Sequence, residues 1–230
     1  MSRLEGLSDA VFALTLTLIV VMSSVPATFE EFWIVVRDLP AFAASFLLLI
    51  LIWVEHHKYF RRYGLQDAST IALNSLLLFL VVFYAYPLKF LMTMLWHLVL
   101  GHDIRPRFEL TLNSAWPFAA NAQPSFLMIF YGVGVVGIFA TFTVMHLRAY
   151  MLRRQLDLDD LEQFLVRSSM RENIFMAAVG ALSATMAWYG VHPAICGLSY
   201  MLLWPLMMGN GIYEGIKADK MAKAMADRSE

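Results

Sequence analysis

Residues 3–25 read RLEGLSDAVFALTLTLIVVMSSV. Three charges, Arg3, Glu5 and Asp9, crowd the start of this stretch, and none follows from Ala10 to Val21. With no water to satisfy its backbone, an apolar run of this kind enters a bilayer only as a helix. A secretory leader would begin with basic residues and carry an apolar stretch of about 7–15 residues. Glu5 and Asp9 in the opening turn, and the longer run, therefore indicate a retained first helix, although Val25-Pro26-Ala27 loosely resembles a cleavage site.

Working outward, further apolar runs follow at about 40–60, 69–95, 124–147, 173–191 and 193–209, the first covering about 6–25. Pro87 falls inside the third and should kink it, because proline removes a backbone donor and crowds the preceding turn. His192-Pro193 makes a tight turn between the last two. Of 230 residues, 60% are hydrophobic and 15% charged, with a mean hydropathy of +0.62. A soluble domain carries about 25% charged residues, so the expected class is an all-α membrane protein, one domain over 1–230 with six transmembrane helices and no internal repeat. No basic tract suggests nucleic acid, and Cys196, the single cysteine, allows neither an internal disulfide nor a zinc cluster.

Basic residues set the orientation. With the amino terminus inside, 13 of the 17 Lys and Arg residues fall on one face. Arg37, Lys89, Arg105 and Arg107 are left for the other. Both termini are therefore expected in the cytoplasm. The outer segment 96–123 reads as an interfacial loop, marked by Trp96 and Trp116. The inner segment 148–172 reads as a solvated connector, although Leu156, Leu161, Phe164 and Leu165 have roughly helical spacing.

Ionisable groups inside a bilayer are costly unless paired, and here they gather at the inner ends of the first three helices. Arg3, Ser8 and Asp9 open the first, Trp53, His56 and His57 close the second, and Asn74 stands near the start of the third. These groups can satisfy one another. Arg3-x-x-x-Leu7-Ser8-Asp9 resembles the Arg-x-x-x-Phe-Ser-Asp signature of the transmembrane protein 175 potassium channels, with Leu7 where the family has phenylalanine. Trp53, His56, His57 and Phe60 are similar to that family's second-helix pattern, and Asn74 to the asparagine of its third. The resemblance implies a structural network of Arg3, Ser8, Asp9, Trp53, His56, His57 and Asn74. It further implies a pore lined by the first helix of each of four six-helix units, so that a single-unit chain would be a homotetramer.

Helical geometry bears on this independently. At about 100° per residue, Leu7, Ala10, Leu14, Thr17 and Val21 form one stripe, with Asp9 about 140° from Leu14 and so pointing into its own subunit. The resemblance carries the constriction onto Leu14, Thr17 and Val21, with Leu7, Ala10 and Leu18 lining the rest of the pore. Stacked rings of this kind gate by controlling hydration, and without a Thr-Val-Gly-Tyr-Gly run the expected preference for potassium over other monovalent cations is modest. No cofactor is expected beyond the permeant potassium ion, and no partner beyond membrane lipid and further copies of the chain. Two other classes stay open. A secondary transporter would use Asp9, Glu55 or Asn74 for coupling, but broken helices and repeats are absent from the sequence. An enzyme would need a nucleophile and base that meet, and the neighbours Ser8 and Asp9 diverge on a helix. His56 and His57 diverge likewise and make no metal pair, and His97, His102, His146 and His192 read as scattered near the interfaces without a special role.

Overall fold

A computed structural model of the chain describes residues 3–21, 26–101 and 123–229. The described chain is helical: α1 (Arg3–Val21), α2 (Phe29–Arg37), α3 (Leu39–Tyr63), α4 (Ala68–Val99), α5 (Gln123–Met151), α6 (Asp160–Trp188), α7 (Pro193–Leu198), a 3-10 turn (Ser199–Leu202) and α8 (Leu203–Ser229). Among the described residues, four helical stretches are long and apolar enough to cross a membrane: Leu39–Tyr63, Ala68–Ala85, Ser125–Met151 and Pro193–Met221. The protein is thus a multi-pass membrane protein. The 19 residues of α1 span about 28 Å, and in α6 the polar trio Arg171-Glu172-Asn173 interrupts the apolar run.

Local chemistry sets the helix ends. At the end of α3, Gly64 adopts a left-handed conformation, φ 57°, and returns its N–H to the Phe60 carbonyl at 2.9 Å, a cap that suits glycine because it has no Cβ. Asp67 then starts α4. It accepts the Thr70 hydroxyl at 2.6 Å and the Ser69 N–H at 3.1 Å, and Arg148 at the end of α5 donates to it as well. The Thr70 hydroxyl, and after it the guanidinium, hold the Asp67 carboxyl down to about 2. Because this pKa is depressed, the tie between α4 and α5 is complete above the usual aspartate value of about 3.9 and is lost only as the pH falls toward 2.

Several elements depart from the sequence expectation. The segment 148–172 is no solvated connector: α5 continues to Met151 and α6 starts at Asp160, with Phe164, Val166 and Ser168 buried. The cause is a capping box, in which the Asp159 side chain accepts the Glu162 N–H at 2.7 Å while the Glu162 carboxylate accepts the Asp159 N–H at 3.1 Å. Helix α8 runs 20 residues beyond the expected end at 209, because Ala, Lys and Met sustain a helix outside the membrane without any apolar run. Helix α4 continues through Pro87 to Val99, so Trp96 is helical; 102–122, with Trp116, lies outside the described residues. Helix α2 was not expected at all. Thr28 caps it by accepting the Glu31 N–H at 3.2 Å, and none of its residues is buried.

Among the described residues, the packing forms two clusters. The larger joins Phe12 and Ile19 of α1 to Leu49 and Phe60 of α3, Leu77 and Val81 of α4, and Phe142 and Met145 of α5. The smaller joins Leu91 and Met94 to Met128, Tyr131 and Cys196. Helices α5 and α6 approach most closely. A Cβ on Gly132 would lie 2.7 Å from that of Ala184 and 2.8 Å from the Gly180 carbonyl, and one on Gly180 would lie 2.8 Å from Val135. Small residues facing one another are how helices associate in lipid, where apolar burial gives no driving force.

Candidate functional site

Helix α1 has two opposed faces. Ser8, Phe12, Thr15 and Ile19 are buried at intervals of four, three and four residues. Leu7 and Leu14 are 58% and 59% exposed, and Ala10 and Thr17 are exposed with them. At about 100° per residue this second set lies opposite the first, so an apolar stripe with one hydroxyl is presented away from the subunit. Leu18 is exposed beside it. Val21 is the last residue of α1, and its side chain lies outside the described residues. The Thr17 hydroxyl donates to the Ala13 carbonyl at 2.9 Å. Its proton is thereby committed, which leaves the oxygen of this exposed residue as an acceptor.

The buried face is held by a directional chain of hydrogen bonds across three helices. His56 of α3 meets the Asn74 Oδ1 of α4 at 2.8 Å through Nε2, the Asn74 amide donates to Ser8 Oγ of α1 at 3.0 Å, and Ser8 donates to the Leu4 carbonyl at 2.8 Å. Since the Asn74 amide nitrogen is spent on Ser8, the oxygen faces His56, and His56 carries its proton on Nε2. Its Nδ1 has no partner among the described residues. The His56 ring is wedged between Phe12 and Phe60 at centroid distances of 5.4 and 4.6 Å. Beside this chain, the Trp53 indole donates to Asp9 Oδ1 at 2.8 Å. These bonds bring together Ser8, Asp9, Trp53, His56 and Asn74 from the set proposed on sequence.

Two members of that set stand apart. Arg3 is exposed at the start of α1, and among the described residues no hydrogen bond joins it to the others. His57 is exposed and stacks on Trp53 at 5.5 Å without a hydrogen bond to Asp9; following His56 by about 100°, it turns outward where His56 turns in. Asp9, Glu55 and Asn74 do not converge on one site: Asp9 and Asn74 serve separate bonds, and Glu55 lies 3.8 Å from Lys58. Among the described residues, no three His, Cys, Asp or Glu side chains group to hold a metal.

At the other end of α1 the structure adds residues that sequence reasoning passed over. Lys89 of α4 reaches the Ile19 carbonyl at 3.4 Å, close to the helix end where unpaired carbonyls concentrate negative charge. His97 is buried and meets Asp38 at 3.0 Å, and the Trp96 indole donates to the Arg37 carbonyl at 3.1 Å, so both tie α4 to the junction of α2 and α3. His146 is buried too, bonded to the Phe142 carbonyl at 2.9 Å and packed edge-on against Tyr59. Neither His97 nor His146 is an interfacial bystander; His102 lies outside the described residues. The only advance signal was a lysine lodged two positions after Pro87 in an apolar run. The His97–Asp38 pair is 59 residues apart and leaves no local pattern.

Residues 3–85 match the family described as endosomal/lysosomal potassium channel TMEM175. A potassium channel of Marivirga tractuosa is 37% identical over 231 residues, covering 98% of this chain and 91% of the relative. A potassium channel of Chamaesiphon minutus is 35% identical over 106 residues, covering 41% of this chain and 51% of its own length. Among solved structures, a variant of the potassium channel MtTMEM175, crystallised with a nanobody–MBP fusion, superposes with a TM-score of 0.76 at 36% identity, covering 94% of each chain. A lysosomal potassium-selective channel TMEM175 homolog from Chamaesiphon minutus shares the fold, with a TM-score of 0.58 at 20% identity over 94% of this chain and 96% of its own.

Proposed function

This chain belongs to the TMEM175 family and is a potassium channel, and from that premise we propose that four copies assemble around a central pore lined by α1. The observation that carries this reading is the exposed stripe of Leu7, Ala10, Leu14 and Thr17, set opposite a hydrogen-bonded anchor that fixes how α1 is rotated. In the assembly, α1, α3, α4, α5, α6 and the α7–α8 unit each cross the bilayer. The excess of Lys and Arg on one side supports an orientation with both termini in the cytoplasm, and the similarity to bacterial potassium channels supports a bacterial membrane.

The Leu14, Thr17 and Val21 rings would stack over about 10 Å. The apolar rings empty of water when narrow and fill when wide, which gates the path. Between them, Thr17 offers an oxygen whose proton is already given to Ala13, so it can accept a partly dehydrated cation without turning a hydroxyl dipole. Leu7, Ala10 and Leu18 line the remainder, and no carbonyl-built filter is involved.

Three measurements test the reading. Purified protein in vesicles under a potassium gradient should give a passive, electrogenic flux whose reversal potential moves with potassium; coupled, saturable uptake would overturn the pore. Leu14→Cys, in a chain whose single native cysteine is buried, should be blocked by a charged, water-borne thiol reagent, whereas protection from that reagent with labelling from the lipid phase would sink it. Thr17→Ala should shift the sodium-to-potassium permeability ratio, and an unchanged ratio would remove Thr17 from the filter.

A further inference from the structure

A cavity of about 490 Å³ lies between α3 on one side and α5, α6 and α8 on the other, floored by α4. Its body is apolar, with Tyr84, Leu91, Met176 and Met207 in its wall. Leu51 also lines it and is 62% exposed, so the cavity opens sideways toward lipid. Along α3 it runs from Leu48 to Lys58, a depth of about 15 Å. Pockets that hold small molecules fall in the range of about 300–1,000 Å³.

The charged groups gather at one end. Glu55 and Lys58 line the cavity from α3 and Glu172 from α6, close enough for Glu172 to feel the charges of both across the opening. Glu172 is held in place by the Asn210 amide at 3.0 Å, and its other oxygen has no hydrogen-bond partner among the described residues. Glu55 sits 3.8 Å from Lys58, beyond hydrogen-bond reach. Arg171, the neighbour that could neutralise Glu172, is committed elsewhere: it donates to Asn210 at 3.1 Å and to Ser168 at 3.1 Å, and lies over the Tyr213 ring. Glu55 and Glu172, the latter with Glu214 also acting on it, therefore face the Lys58 ammonium at one end of an apolar slot of acyl-chain depth.

We propose that this cleft binds an aminophospholipid of the ethanolamine type, with its primary ammonium between Glu55 and Glu172, its phosphate at Lys58 and one acyl chain in the slot. An anionic headgroup is repelled by the two carboxylates. A choline headgroup carries charge but no N–H donor, so it cannot hydrogen-bond to either carboxylate. A bare cation satisfies the acids but leaves the apolar slot unfilled. The inference rests on the cleft alone and stands apart from which helix lines the pore.

The experiment compares the full-length protein in nanodiscs of phosphatidylglycerol mixed with either phosphatidylethanolamine or phosphatidylcholine of identical chains, reading co-purified lipid by native mass spectrometry. The ethanolamine lipid should be retained about three- to fivefold over the choline lipid. The isosteric pair Glu55→Gln and Glu172→Gln, singly or together, should abolish that preference in protein that remains monodisperse. Equal retention of the two lipids by the native chain would overturn the proposal whatever the variants do. So would a preference that survives in them, or thermal stabilisation by ethylammonium chloride in phosphatidylglycerol discs equal to that given by the ethanolamine lipid.

Discussion

Replacing Asn74 with alanine is expected to eliminate assembled channel. Asn74 is the middle link between α3 and α1: it accepts from His56 and donates to Ser8, and all three residues are almost fully buried. The substitution strands the His56 N–H and removes the donor to Ser8. A buried polar group without a partner costs about 1–3 kcal/mol, and in lipid no water comes to its aid. Two such losses are a large fraction of a typical net stability of about 5–15 kcal/mol. Size-exclusion chromatography and thermal melting of a fluorescent fusion should show the oligomer peak lost. Ser75→Ala is the control, since its exposed hydroxyl bonds only the Ile71 carbonyl one turn back. Asp9→Ala breaks the single bond from Trp53 and should be milder. A well-assembled Asn74 variant that fails only to conduct would show that the residue serves ions directly.

The second large effect is expected at Leu14. If its ring is where the pathway dries, trimming it to alanine removes three carbons from each subunit at the narrowest level and lowers the cost of keeping water there. A tenfold rise in potassium flux corresponds to about 1.4 kcal/mol off the barrier, and Leu14→Ala should reach at least that in vesicle flux or single-channel recording. Protein yield should hardly change, because Leu14 is exposed within its own subunit and contributes little to the fold. Unaltered flux through a well-assembled Leu14→Ala channel would move the constriction elsewhere.

What could be read in advance follows from where the information lies. The membrane class was legible because apolar runs answer to the bilayer, a constraint that acts on composition and needs no partner. The rotation of α1 was legible for a related reason: Ser8 to Ile19 alternates two faces at helical spacing, so Asp9 had to turn away from Leu14. Helix lengths were harder, since α8 continues past 209 and α6 begins before 173 on capping and propensity, to which hydropathy is blind. Helix α2 escaped because its nine residues are too few to span a bilayer. Arg3 and His57 entered the anchor through the family resemblance, whereas hydrogen bonding depends on direction, and about 100° separates His57 from His56, which faces inward. The family model matches residues 3–85, the same helices whose polar residues the sequence made conspicuous, while the similarity to the Marivirga tractuosa channel runs over 98% of the chain.

The hold of Lys89 on the Ile19 carbonyl would act on current in the assembly proposed above. In the proposed tetramer, four Lys89 ammonium groups would ring the outer entrance, while Glu5, beside Arg3 in the first turn of α1, would set negative charge at the inner one. Cations arriving from the cytoplasm are concentrated and those arriving from outside are repelled, so under equal and opposite voltages the channel should rectify, passing potassium outward more readily than inward.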